Sequence, residues 1–246
     1  MDRGLVPSRE RAQALILGGK VLVNEQKIEK AGAAVDCAAG LRLLGEDLRY
    51  VSRGGLKLER ALDHWHIELN GKVCLDVGAS TGGFTDCMLQ HGAAKVIAVD
   101  TGYGQMDFGL RNDPRVRLLE KTNARYLKRE EIGGPVDFVA VDVSFISATL
   151  VLPSVIHAAF SASTSGYGEI VVLVKPQFEV GRGQVGKGGI VRNKTLQEDA
   201  VTKVADALRS LGAYGIEWIE SPILGAEGNR EFLLHAKVEP EREFSV

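Results

Sequence analysis

Cysteine is scarce in this chain of 246 residues. Cys37, Cys74 and Cys87 form neither a metal-binding spacing nor an even disulfide set, so reduced, mostly buried thiols of a cytoplasmic protein are expected. No His/Asp/Glu cluster suggests a metal site, and there is no low-complexity tract. The apolar segment 138–160 is interrupted by Asp142, Pro153 and His157, which divides it into a strand and a helix rather than a membrane span. The opening Met-Asp-Arg-Gly lacks the apolar core of a secretion signal. These absences exclude a disulfide scaffold and a spanning helix, leaving a soluble globular protein. Charge of one sign is also lacking overall, with a net of −2, yet residues through Arg60 carry +3 and the remainder −5. A basic appendage suggests a polyanionic partner, although ordinary surface variation gives the same figure.

What is present centres on Val73–Asp86. An apolar run ends in a turn carrying Gly78, Gly82 and Gly83, and Phe84, Cys87, Met88 and His91 then fall on one helical face. Strand, glycine turn and helix present backbone N–H groups to a ligand. The turn Gly78-Ala79-Ser80-Thr81-Gly82-Gly83-Phe84 does not fit the dinucleotide fingerprint, and no triphosphate loop is present. Asp76 at the first strand end would repel a pyrophosphate but suits a positive centre. Asp100, closing the next strand, can accept from ribose hydroxyls. Two acids with little phosphate chemistry point to S-adenosylmethionine; another nucleotide, or plain turn glycines, are the alternatives.

From the amino terminus, Ser8 is a plausible cap for a helix with Ala12, Leu15 and Ile16 on one stripe, stopped by Gly18-Gly19. Lys20–Asn24 reads as a strand, and Val35 and Leu41–Leu44 offer two more. This helix, glycine stop and Lys20-Val-Leu-Val-Asn24, with Lys30 following, resemble the RNA-binding motif named after ribosomal protein S-four. In that motif Arg3, Arg9, Arg11, Lys20 and Lys30 would contact phosphates; otherwise they are solvated surface charges. The motif's usual opening helix is absent, so residues 1–44 read as a partial module and 45–55 as a linker. In 56–246, Leu58, Ala61, Leu62 and Trp65 make an amphipathic helix. Beyond the opening Val73 strand, strands are expected at Lys95–Asp100, Arg115–Leu119, Val136–Asp142, Glu169–Lys175, Tyr214–Glu220 and Glu231–Val238. Helices are expected at Gln105–Asn112, Ser147–Ala162 and Thr195–Leu211, the last with a Thr195/Glu198 capping box. The alternation predicts a doubly wound, Rossmann-like α/β sheet of seven strands. The last two strands are joined too tightly for a crossover, so the final one runs antiparallel.

Asp142 and Lys175 each follow at least four apolar residues, placing a charge at the edge of a buried sheet, where it needs a partner. An ion pair between neighbouring strands would satisfy them; Lys57 and Glu231 extend the pattern. Lys57, Asp142, Lys175 and Glu231 in this order match the tetrad of ribose 2′-O-methyltransferases related to FtsJ. More closely, Ser52–Lys57, Asp76–Asp86, Val141-Asp-Val-Ser-Phe-Ile-Ser147, Val174-Lys-Pro-Gln-Phe-Glu179 and Gly228-Asn-Arg-Glu-Phe232 resemble the TlyA rRNA methyltransferases, often labelled hemolysins. The resemblance implies S-adenosylmethionine as cofactor, cytidine 2′-hydroxyls of ribosomal RNA in the ribosomal subunits as substrate, and Asn123 beside the adenine. Lys175 is then the general base, with Asp142 and Glu231 holding the lysines and balancing their charge. The glycine-rich Gln177–Gly189, with Arg182 and Lys187, reads as a cover over cofactor and RNA, or as a plain surface loop. Two other classes compete: an RNA-binding protein without catalysis, and a lytic protein, for which no amphipathic or spanning element is evident.

Overall fold

The computed structural model describes residues 5–6, 9–44, 49–160, 167–225 and 228–239. Arg3 and Ser8 lie outside the described residues, as do the side chains of Arg11 and Arg182. The chain divides into two compact units between Leu48 and Arg49.

The smaller unit holds α1 (Arg9–Leu17) and three short antiparallel strands, β1 (Val21–Val23), β2 (Gln26–Ile28) and β3 (Leu41–Leu43), in the order β2-β1-β3. Val35, expected in a strand, instead lies in an exposed non-strand segment. The third strand is β2, a polar strand created by a two-residue turn. Asn24 and Glu25 both take positive φ (48° and 65°), the twist that lets Val23 pair with Gln26. Arg9, Lys20 and Lys30 are exposed.

The larger unit begins with α2 (Gly54–Trp65), followed by β4 (Val73–Val77), α3 (Gly83–Gln90), β5 (Lys95–Val99), α4 (Phe108–Arg111) and β6 (Val116–Leu119). Then come α5 (Arg129–Ile132), β7 (Phe138–Val141), α6 (Leu152–Ala159), β8 (Gly168–Val174), α7 (Pro176–Glu179), α8 (Lys194–Ser210), β9 (Ala213–Glu220) and β10 (Phe232–Val238). The seven strands run in the order β6-β5-β4-β7-β8-β10-β9. All are parallel except β10, which is antiparallel to both β8 and β9. The doubly wound sheet with a reversed last strand is therefore present as the alternation predicts.

Period-two alternation divides the core. Leu75, Val77, Val139, Val141, Ile170 and Val172 pack with α6 and α8 on one face. Cys74, Phe138, Ala140, Val171 and Leu173 pack with Leu58, Leu62, Phe84 and Met88 of α2 and α3 on the other. Burial pushes the Cys74 and Cys87 thiols up to about 12. Residues 49–51 belong to this unit: Tyr50 is buried, and Val51 N–H donates to Asp86 Oδ2 at 2.8 Å.

Three helix expectations are corrected. The helix at Gln105–Asn112 shrinks to the single turn α4, because Gly104 takes φ 72° and Asp107 caps at Gly109 N. The helix at Ser147–Ala162 becomes a 3₁₀ turn, Ala148–Leu150, followed by α6 with Pro153 in its first turn. Helix α8 is capped by Asn193, which accepts from Thr195 N and Leu196 N, rather than by a Thr195/Glu198 box. Among the described residues no helix is long and apolar enough to cross a membrane.

Candidate active site

The carboxyl ends of β4, β5 and β7 open onto two adjoining clefts that share Gly78, Ser80 and Asp142. The larger, about 490 Å³, includes Asp100, Gly102, Asn123, Val143 and Val151 in its walls. The smaller, about 250 Å³, includes Lys57, Ala79, Thr81, Gly83, Phe84 and Gly225. Gly78 has φ 90°, and a Cβ there would collide with the Asp142 carbonyl. Only glycine lets β4 and the strand end at Asp142 come this close. Asp100 shapes the turn on the other side, accepting from Ser80 N at 2.8 Å and Gly102 N at 2.6 Å.

Two residues expected at the ligand line neither cleft. Asp76 is fully buried on the α3 face of β4, the face of Cys74, and accepts from Thr85 Oγ1 at 2.6 Å while its Oδ1 has no hydrogen-bond partner. Gly82 lies on neither cleft wall; it caps α3 with φ 96°, and a side chain there would strike Leu110. Asp76 belongs instead to the foundation of the glycine turn.

Burial raises the Asp76 carboxyl to about 7 from its ordinary 3.8. Between those values the folded chain keeps a proton that the unfolded chain has released, so stability falls as pH rises from about 4 to about 7 and is flat above. Asp76→Asn should remove this component: the gap in Tm between wild type and variant changes by several degrees from pH 4 to pH 8. A gap independent of pH would show that Asp76 does not titrate in this window.

The charged residues form two pairs. Lys57 Nζ lies 2.5 Å from Glu231 Oε2, with side chains 11 % and 3 % exposed. Lys175 Nζ lies 2.6 Å from Asp142 Oδ1, the ion pair expected between neighbouring strands, and donates to Ser144 Oγ at 2.7 Å. Phe232 pairs with Val174, so Glu231 and Lys175, one residue further out on each strand, stand opposite each other at the same rim. Lys57 and Asp142 reach the smaller cleft directly. Glu231 closes it from behind, its carboxylate packed so tightly on Gly225 that no Cβ fits there.

Several supporting residues have roles that the sequence motifs containing them do not reveal. Glu179, buried at the end of α7, accepts from Ala148 N at 2.7 Å and Ser147 Oγ at 2.5 Å, with Lys203 Nζ 3.3 Å away. It clamps the segment holding Asp142 and Ser144 to the one holding Lys175. Asn229 accepts from Val191 N at 3.0 Å and donates to Gly189 O at 2.9 Å, fixing the far end of the loop that carries Lys187. Phe145 is 92 % exposed with φ 65°, beside Phe178 with ring centroids 5.3 Å apart. A large apolar ring held out in the left-handed region is a position that folding alone does not favour. Among the described residues no group of three or more His, Cys, Asp or Glu side chains could hold a metal ion.

A family model for FtsJ-like methyltransferases matches residues 50–238, most of the chain and the whole of this site. The chain belongs to the FtsJ-like methyltransferase family. An S4 domain model matches residues 2–38 ahead of it. Within the family the chain groups with the TlyA proteins. It is 46 % identical to the 16S/23S rRNA (cytidine-2′-O)-methyltransferase TlyA of Mycobacterium tuberculosis, over 99 % of this chain and 90 % of that protein. It is 32 % identical to the 23S rRNA (cytidine-2′-O)-methyltransferase TlyA of Campylobacter jejuni, over 93 % of each. A solved structure from Streptococcus thermophilus, labelled a hemolysin, is 42 % identical with a TM-score of 0.74, covering 99 % of this chain and 88 % of that one. The FtsJ-like domain is an S-adenosylmethionine-dependent methyltransferase, and its clefts suit that cofactor: a side-chain-free floor at Gly78, a carboxylate at Asp100 and a second carboxylate at Asp142 where the clefts join.

Proposed function

We propose that this protein transfers a methyl group to the 2′-hydroxyl of a cytidine in ribosomal RNA, acting in the cytoplasm on ribosomal subunits. The observation that carries this reading is the pairing of Lys57 with Glu231 and Lys175 with Asp142 around one cleft mouth at the strand carboxyl ends. Its support from relatives is the wording carried by the M. tuberculosis and C. jejuni proteins.

In this reading Asp100 and Asn123 hold the adenosine end of the cofactor, and Gly78–Thr81 with Gly83 and Phe84 border its other end. Bound there, S-adenosylmethionine supplies an electrophilic methyl group. A ribose hydroxyl is a poor nucleophile, so the protein must orient it and accept its proton. Lys175 Nζ, once its own ammonium proton has been passed to solvent, takes that proton as the hydroxyl oxygen attacks; Asp142 and Ser144 fix the amine, and the Lys57–Glu231 pair holds the opposite wall without adding net charge. Phe145 offers a face on which the base of the modified nucleotide can stack. The S4 domain, through Arg3, Arg9, Arg11, Lys20 and Lys30, contacts phosphates elsewhere on the RNA.

Glu179 acts at one remove, as a positioning residue. Glu179→Ala should lower kcat roughly tenfold or more by loosening the alignment of Lys175 with Asp142, while affinity for S-adenosylmethionine is retained. Glu179→Gln, which keeps an acceptor for Ala148 N, should recover most of the activity. Equal falls in kcat and in cofactor affinity would reduce Glu179 to a general support of the fold.

The deciding experiment is tritiated methyl transfer from S-adenosylmethionine to unmodified small and large ribosomal subunits, with mapping of the labelled sugar. Label on a cytidine 2′-oxygen is the expected result; label on a base, or none with cofactor bound, overturns the reading. Release of dye from liposomes by the purified protein would instead support the lytic alternative.

A further inference from the structure

We infer that a groove at the outer edge of the sheet, between the start of α8 and strands β9 and β10, holds a second stretch of the RNA substrate, away from the nucleotide being modified. The inference rests on the reading of the protein as an rRNA methyltransferase. The groove encloses about 530 Å³, and its walls include Arg192, Lys194, Glu198, Trp218, Glu220 and Arg230.

Its position follows from the topology. Helix α8 begins, β9 ends and the reversed β10 begins at the same rim as the parallel strand ends, so the groove opens on the catalytic side. Arg230 directly precedes Glu231 in the chain. An extended strand of RNA leaving the cleft mouth would meet this edge next.

Its chemistry is that of a single-stranded nucleic-acid site: an aromatic face flanked by cations. Trp218 is 46 % exposed and set edge-on against Phe232, with centroids 5.5 Å apart and planes at 85°, so its position is fixed from within. Around it stand Arg192, Lys194 and Arg230. The exposed Lys187 lies on the same loop as Gly186, whose Cβ position would be 3.6 Å from the Arg192 guanidinium. Against these four cations stand Glu198 and Glu220. Glu198 lies 3.6 Å from Lys194 and Glu220 pairs with Arg230, both in exposed ion pairs. Exposed pairs contribute little, so phosphate oxygens can replace those carboxylates at small cost. The base faces give the tryptophan a partner that an acidic peptide would not.

The test is steady-state methyl transfer by the full chain to unmodified ribosomal subunits across a range of salt concentrations, alongside calorimetric binding of S-adenosylmethionine. Trp218→Leu should raise KM for the subunits at least about fivefold, and Trp218→Phe should restore it. Arg192→Gln should weaken RNA binding and flatten the dependence of log affinity on log salt by about 0.7, because one phosphate is no longer neutralised. Cofactor affinity should stay at the wild-type value in all three. Wild-type KM and salt slope in both Trp218→Leu and Arg192→Gln would overturn the inference, as would a fall in kcat with KM unchanged. Should Trp218→Leu fail to fold, the exposed Arg192 decides alone. Wild-type protein that methylates no rRNA defeats the functional reading first and this inference with it, whereas active wild type with unaffected variants defeats this inference only.

Discussion

Lys175→Ala lowers the rate of methyl transfer by about 10²–10⁴ while S-adenosylmethionine binds with unchanged affinity, if the amine is the proton acceptor. The separation is expected because Lys175 touches Asp142 and Ser144 rather than the turn at Gly78. Ser144→Ala should have a smaller effect, since Asp142 still holds the amine. Single-turnover kinetics with saturating RNA and cofactor isolate the chemical step. Near-wild-type transfer by Lys175→Ala would remove the lysine from the chemistry and leave it as half of an ion pair.

The second large effect is on stability. Glu231→Ala leaves Lys57 with its charge and no acceptor in a site where its side chain is only 11 % exposed. Removing one partner of a buried pair costs about 3–5 kcal/mol. For a chain of this size that corresponds to a fall in Tm of roughly 6–20 °C. Replacing both partners together, Lys57→Met with Glu231→Leu, should restore most of the stability, because no unpaired charge remains. Activity should not return with it. A double variant that regains both Tm and methyl transfer would mean that the pair only braces the wall.

How far a sequence can carry is visible at individual positions. Asp142 and Lys175 are legible because each ends a run of apolar residues, and a charge there must face a strand end. Lys57 and Glu231 lie outside the strands and are reached by motif. Asp76 also ends an apolar run, yet the two-residue period puts it with Cys74 on the α3 face, buried and bonded to Thr85. Strand β2 escapes because its signal is not hydrophobic at all; it exists through the left-handed backbone of Asn24 and Glu25. Glu179, Asn229 and Ser144 lie inside the recognised motifs, but their roles are unreadable there for a different reason. Their partners lie 24 to 40 positions away in the chain, and no local pattern records such a separation.

The reversed direction of β10 has a consequence for when the enzyme can first act. Because this strand enters the sheet at the catalytic rim, Glu231 is contributed by the residue before the strand and is held in place only once Phe232–Val238 has slotted between β8 and β9. A ribosome that has released three of the four charged side chains has therefore made a polypeptide with a lysine still lacking its counterion. In the proposed mechanism competence waits for this one strand to be translated, and a product cut short before residue 232 would lack the strand that holds Glu231 against Lys57, however much of the rest of its sheet had formed.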